Sequence, residues 1–198
     1  MYNNTNTNYG DKMKKTILIT GAGSGLGKQA SIELAKRGHK VYATVRYENE
    51  IDDLIDIANR EKLDLEAFKL NILNEEERKN IQNYDIDVLI CNAAIGDSGS
   101  VADVDVDRIR TVFETNVFCN IETVQVALKR MINYKKRGRI IFLSSLVGRI
   151  PFAFLSPYCA SKFAIEGFAT CLRKEMKKLT IANIEVGIIE PRSICNRV

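Results

Sequence analysis

The chain has 198 residues, with 29 Lys and Arg against 25 Asp and Glu. At 45% hydrophobic and 27% charged, it is composed like a globular chain with a sizeable core, which excludes a disordered or fibrous class. The net charge of +4 is spread along the sequence. Its densest basic run, Lys135-Lys136-Arg137 with Arg139, ends a helical pattern where cations suit a helix C-terminus, and this argues against nucleic-acid binding.

In chain order, Met1–Asn8 is polar and has no apolar centre, so it is read as neither a signal peptide nor an anchor, and residues 1–13 are expected to form a disordered tail. Strand-like apolar runs then alternate with helical patterns. This predicts a parallel sheet covered by helices on both faces. The strands are expected at Thr16–Thr20, Val41–Val45, Leu65–Leu70, Asp87–Cys91, Arg139–Leu143 and Ile184–Ile189. Helices are expected from the glycine turn to about Arg37, where Gly38 stops the first, then over Glu48–Arg60 and Glu75–Asn83. A long helical period over Val106–Tyr134 is expected to break near its start, and the last helix is expected over Pro157–Leu179. No apolar run is long enough to span a bilayer. The five cysteines (Cys91, Cys119, Cys159, Cys171, Cys195) form no CxxC pair, and several lie in apolar runs. They point to buried thiols in a reducing, cytoplasmic setting rather than to a metal or a disulfide framework.

The turn Thr20-Gly21-Ala22-Gly23-Ser24-Gly25-Leu26-Gly27 follows a strand and opens a helix, the setting of a dinucleotide fingerprint. Gly21 allows the tight turn, Gly25 lets a pyrophosphate approach the backbone, and Gly27 lets helix and strand pack closely. Free amides at the helix start, around Ser24 and Leu26, hold an anion. The second strand ends Val45-Arg46, without the acid that commonly holds a ribose 2′-hydroxyl. Arg46 can pair with a 2′-phosphate and Ser24 can add a hydrogen bond, so NADP(H) is favoured over NAD(H).

Tyr158 and Lys162 stand four apart near the start of the last helix and so share a face. An ammonium beside a phenol favours the phenolate, which suits the tyrosine to exchange a proton with an alcohol or carbonyl oxygen. Ser145, just past the fifth strand, is placed to hold that oxygen at the carboxyl edge of the sheet. Asn116, in the long helical period, is placed to hold a water that links Lys162 to solvent. Each feature alone is unremarkable, since YxxxK pairs occur on helix surfaces and serines in turns; their order and spacing together carry the reading.

Those residues resemble the short-chain dehydrogenase/reductase family, over about Thr16 to Ile194. The resemblance implies a Rossmann-type doubly wound α/β sheet of order 3-2-1-4-5-6 and an NAD(P)-dependent oxidoreductase. It implies a catalytic set of Asn116, Ser145, Tyr158 and Lys162, with Lys162 and Tyr158 also at the nicotinamide ribose. The family's Asn-Ala-Gly motif is similar to Asn92-Ala93-Ala94, beside the adenine, with alanine in place of glycine. Tyr158–Gly167 and Val41–Arg46 resemble the steroid and retinol dehydrogenase branch, which often uses NADP(H).

Three departures stand out. Asn71-Ile72 replaces the usual aspartate after the third strand, and Asn71 is expected to keep one bond to the adenine. Pro191-Arg192 replaces Pro-Gly, and Asn196 stands where a threonine is usual, which bears on the nicotinamide contacts expected from Pro191, Ser193 and Ile194. Family members also continue beyond this point, so 14–198 is expected to be one Rossmann domain lacking the substrate-covering loop and seventh strand, with its sixth strand an open edge.

The expected substrate is a small alcohol, ketone or aldehyde. Phe152 and Phe154, in the apolar stretch Val147–Leu155, suggest an apolar one. A homodimer through the helices around Val112–Met131 and Phe163–Met176 is implied by the resemblance. Two alternatives stay open: a truncated family member acting only as a nucleotide-binding fragment, and a sugar-nucleotide epimerase, which the glycine spacing and length disfavour.

Overall fold

The computed structural model describes residues 14–179 and 183–191. Six strands, β1 (Thr16–Ile19), β2 (Lys40–Val45), β3 (Leu65–Lys69), β4 (Val88–Cys91), β5 (Gly138–Leu143) and β6 (Ile184–Ile189), form one parallel sheet of order β3-β2-β1-β4-β5-β6. The strands are short and apolar because helices cover both faces, as parallel sheets require. Alternation along β1 divides the core. Ile17 and Ile19 pack with the helices α1 (Gly25–Lys36) and α2 (Ile51–Glu61) through Ala35, Leu54 and Ala58. Leu18 faces the other way, with Leu89, Ile140 and Phe142, onto α5 (Cys119–Asn133) and α6 (Ser156–Lys178).

The expected order of strands is the observed one, and the differences lie in the helices. The segment after β2 begins as a 3-10 turn, Glu48–Glu50, before α2. The helix after β3 is α3 (Glu75–Lys79), followed by a 3-10 turn over Asn80–Asn83. The long period is α4 (Val106–Phe113), a π-helical turn over Glu114–Phe118, and α5. The expected break is therefore one turn of widened helix, a form that concentrates at functional sites. The order reverses between β1 and β4, and the crevice beyond their carboxyl ends is where such sheets take ligands.

Candidate active site

The glycine turn joins β1 to α1. Gly21 and Gly25 have φ of +67° and +54°, a region costly for residues with a Cβ. A Cβ on Gly21 would stand 2.8 Å from Ala93 Cα, so the loop can lie this close to the segment after β4 only as glycine. Thr20 and Asn92 fasten the two. The Thr20 hydroxyl accepts from the amides of Asn92 and Ala93, each at 3.1 Å. Asn92 Nδ2 donates to Thr20 O at 2.9 Å and Gly21 O at 2.8 Å. Asn92 and Ala93 thus act as supports of the loop.

Beside this loop lies a cavity of about 380 Å³, lined on one side by Gly21, Ser24, Leu26 and Arg46, and on the other by Asn71, Ile72 and Asn92–Ile95. It brings together most of the residues read from sequence as nucleotide contacts. Ser24, the residue before α1, spends no side-chain hydrogen bond on capping the helix, which leaves its hydroxyl free for a ligand. The Asn71 side chain accepts from Leu73 N at 3.1 Å, and Asn71 N donates to Glu77 Oε2 at 2.6 Å. The asparagine is thus partly committed to its own turn. Ile72 O accepts from the buried guanidinium of Arg78, which also pairs with Glu122 on α5. Arg78 and Glu50, which also lines the cavity, were not read from sequence as part of the site.

The second cluster gathers at the carboxyl end of β5 and the start of α6. Lys162 is 4% exposed, its Nζ donates to Leu143 O at 2.8 Å, and it lies 5.5 Å from the centre of the Tyr158 ring. Burial pushes the ammonium down to about 8. Burial pushes the Tyr158 phenol up, opposed by the nearby Ser145 hydroxyl. The lysine therefore does not lower the phenol as the spacing alone suggests. Its ammonium is directed at a carbonyl and is itself eased towards neutrality. Ser145 opens the short turn Leu146–Gly148, and its Oγ accepts from Val147 N at 3.4 Å. Leu146 N donates to Pro191 O at 3.2 Å, which ties this turn to the segment after β6.

Asn116 sits in the π-helical turn, 1% exposed. Its Oδ1 accepts from Ile95 N at 2.8 Å, and its Nδ2 donates to Ile95 O at 2.8 Å and Ser161 Oγ at 3.0 Å. Both Nδ2 hydrogens and one Oδ1 lone pair are thus taken by Ile95 and Ser161, so Asn116 anchors the fold, and one Oδ1 lone pair is left for another donor. Ser161, one residue before Lys162, donates to Tyr158 O at 2.8 Å. The π turn, the loop after β4 and the start of α6 are therefore one hydrogen-bonded unit. Asn120 extends it, donating to Ala93 O at 3.0 Å. Neither Ser161 nor Asn120 was read as a site residue; Asn120 recurs one helical turn after Asn116, the only signal it gave. Ser193 and Ile194 lie outside the described residues.

Residues 15–195 match the family model for short chain dehydrogenases. The chain belongs to the short-chain dehydrogenase family. The chain is 35% identical over 181 residues to the probable short-chain type dehydrogenase/reductase VdlC of Helicobacter pylori, covering 88% of the chain and 63% of VdlC. It is 31% identical over 186 residues to bovine retinol dehydrogenase 8, covering 89% of the chain and 58% of that protein. Among solved structures, ElxO with NADP bound superposes with a TM-score of 0.83 at 26% identity, over 91% of the chain and 74% of ElxO. The chain thus spans less than two thirds of the length of the curated relatives it matches. No helix among its described residues is long and apolar enough to cross a membrane.

Proposed function

We propose that this short-chain dehydrogenase interconverts an alcohol and a ketone or aldehyde with NADP(H), using Tyr158 as the acid/base. The observation that carries the reading is the convergence of Tyr158, Ser145 and buried Lys162 at the carboxyl edge of the sheet, beside a glycine loop closed to anything but glycine at Gly21. The donor set fits a dinucleotide: an uncapped helix start at Ser24, a cavity reaching from Arg46 to Ile95, and Lys162 beyond it. Gly21, Ser24, Gly25, Leu26 and Gly27 would hold the pyrophosphate, and Asn71, Ile72 and Asn92–Ala94 the adenine side. Arg46 would meet a 2′-phosphate, and Lys162 with Pro191 the nicotinamide half. When bound, the nicotinamide supplies or accepts the hydride.

The chain's own residues manage the oxygen and its proton. Ser145 holds the substrate oxygen against Tyr158. A phenol raised by burial keeps its proton at neutral pH, the form that protonates an alkoxide as a carbonyl is reduced. For oxidation the phenol must first lose that proton. Lys162, near its own titration point, assists by turning its ammonium from Leu143 O towards the phenol oxygen. Asn116 holds the π turn and α6 in register so that Tyr158 and Lys162 meet the substrate together, and it would hold the water that links Lys162 to solvent.

The test is NADPH oxidation by the purified chain over a panel of apolar ketones and aldehydes, compared with Tyr158→Phe. Turnover by the wild type and a loss of roughly a hundredfold or more in the variant, with NADPH still bound, is expected. Equal turnover by both would remove Tyr158 from the chemistry.

A further inference from the structure

We propose that Glu50 is a charge selector at the adenosine end of the site, opposing Arg46 and narrowing the preference for NADP(H) over NAD(H) that Arg46 alone would impose. The proposal rests on the nucleotide-binding reading above. Glu50 ends the 3-10 turn after β2 and leads into α2, and its Oε2 accepts from Tyr47 N at 3.0 Å. That bond folds the carboxylate back over the phosphate-binding loop. A Cβ on Gly23 would overlap the Glu50 carboxylate, with Oε2 at 2.8 Å. Glu50 and Arg46 line the same cavity, together with Ser24.

Neither charge is neutralised locally. Among the described residues, no Lys or Arg pairs with Glu50 and no carboxylate pairs with Arg46; the Arg46 guanidinium lies 5.1 Å from the centre of the Tyr47 ring instead. Two other acids of this segment behave differently, since Glu48 faces Lys69 at 3.8 Å and Asp53 pairs with Lys28. A 2′-phosphate in this cavity is drawn to Arg46 and repelled by Glu50. A 2′-hydroxyl instead has a carboxylate to which it can donate. The acid absent from the end of β2 is in effect supplied one turn later and brought back by the Tyr47–Glu50 bond.

The test is a nicotinamide-fluorescence titration with NADPH and NADH of the wild type, Glu50→Gln and the control Glu48→Gln. Glutamine keeps an acceptor for Tyr47 N while removing the charge. Glu50→Gln is expected to tighten NADPH roughly three- to tenfold while NADH stays unchanged or weakens, and Glu48→Gln to move neither beyond about twofold. Glu50→Ala must move the NADPH-to-NADH ratio in the same direction. An unchanged ratio in both Glu50 variants, with wild-type binding intact, overturns the selector alone. A wild type that binds neither nucleotide overturns the nucleotide reading and the selector together.

Discussion

A methyl group at Gly27 probes how the phosphate loop is built. Gly27 lies inside α1, where alanine is intrinsically better than glycine by about 1 kcal/mol. Here that gain is outweighed. The added Cβ would overlap Gly21 O and Asn92 Nδ2 and stand 3.1 Å from Ala22 Cα. The backbone carbonyl cannot yield, because Asn92 Nδ2 holds it at 2.8 Å and holds Thr20 O at 2.9 Å. Overpacking of this kind costs about 1–3 kcal/mol. Loss of the two Asn92 bonds adds about 1 kcal/mol each. Net of the helix gain, Gly27→Ala is expected to destabilise by about 3 kcal/mol. For a chain of this size that is a fall in Tm of roughly 6–12 °C. Gly167, inside α6, is the control: a Cβ there meets nothing within 4 Å, so Gly167→Ala should gain up to about 1 kcal/mol. Urea unfolding followed by far-ultraviolet circular dichroism measures both. A Gly27→Ala chain as stable as the wild type would refute the account of the loop.

Other consequences are equally direct. Because burial lowers Lys162 to about 8, the unfolded chain binds more protons than the native one from there up to the ordinary lysine value. This group's contribution to stability is therefore lowest below pH 8 and rises with pH by about 3 kcal/mol up to about 10.4. Lys162→Met should lose that rise, and unfolding curves for both chains from pH 7 to 10 check it. Arg78→Met strips the donor from Ile72 O but leaves Glu122 half in water, so it should cost only about 1–3 kcal/mol in urea unfolding. Arg46→Ala should weaken NADPH roughly tenfold and leave NADH within about twofold, measured by fluorescence titration. Asn116→Leu abandons three side-chain hydrogen bonds in a buried position and should cost about 3 kcal/mol, with turnover falling further than nucleotide affinity.

The sheet was legible because its strands are short apolar runs between glycine and charged punctuation, and runs such as Leu89–Cys91 are indeed buried. The meeting of Tyr158 and Lys162 was legible because helical spacing alone puts them on one face. The π turn was not. Whether Glu114–Phe118 closes i→i+4 or i→i+5 is decided by the anchoring of Asn116 to Ile95 and Ser161, contacts made across the fold. Arg78 was hidden in Glu75-Glu76-Glu77-Arg78-Lys79, which reads as a solvated helix; only the packing of α3 on α5 buries it. Glu50 is not legible because it lies beyond the strand end, and only the fold brings its carboxylate back from the next turn.

The direction of the Tyr158 shift was also beyond sequence. Spacing brings the lysine near the phenol, but burial and the bond to Leu143 O decide where its charge acts.

The measurement that most directly tests the central claim is titration of the purified 198-residue chain with NADPH and with NADH, followed by nicotinamide fluorescence. Saturable binding of both, with NADPH the tighter, is the predicted result; binding of neither would contradict a nucleotide-dependent oxidoreductase.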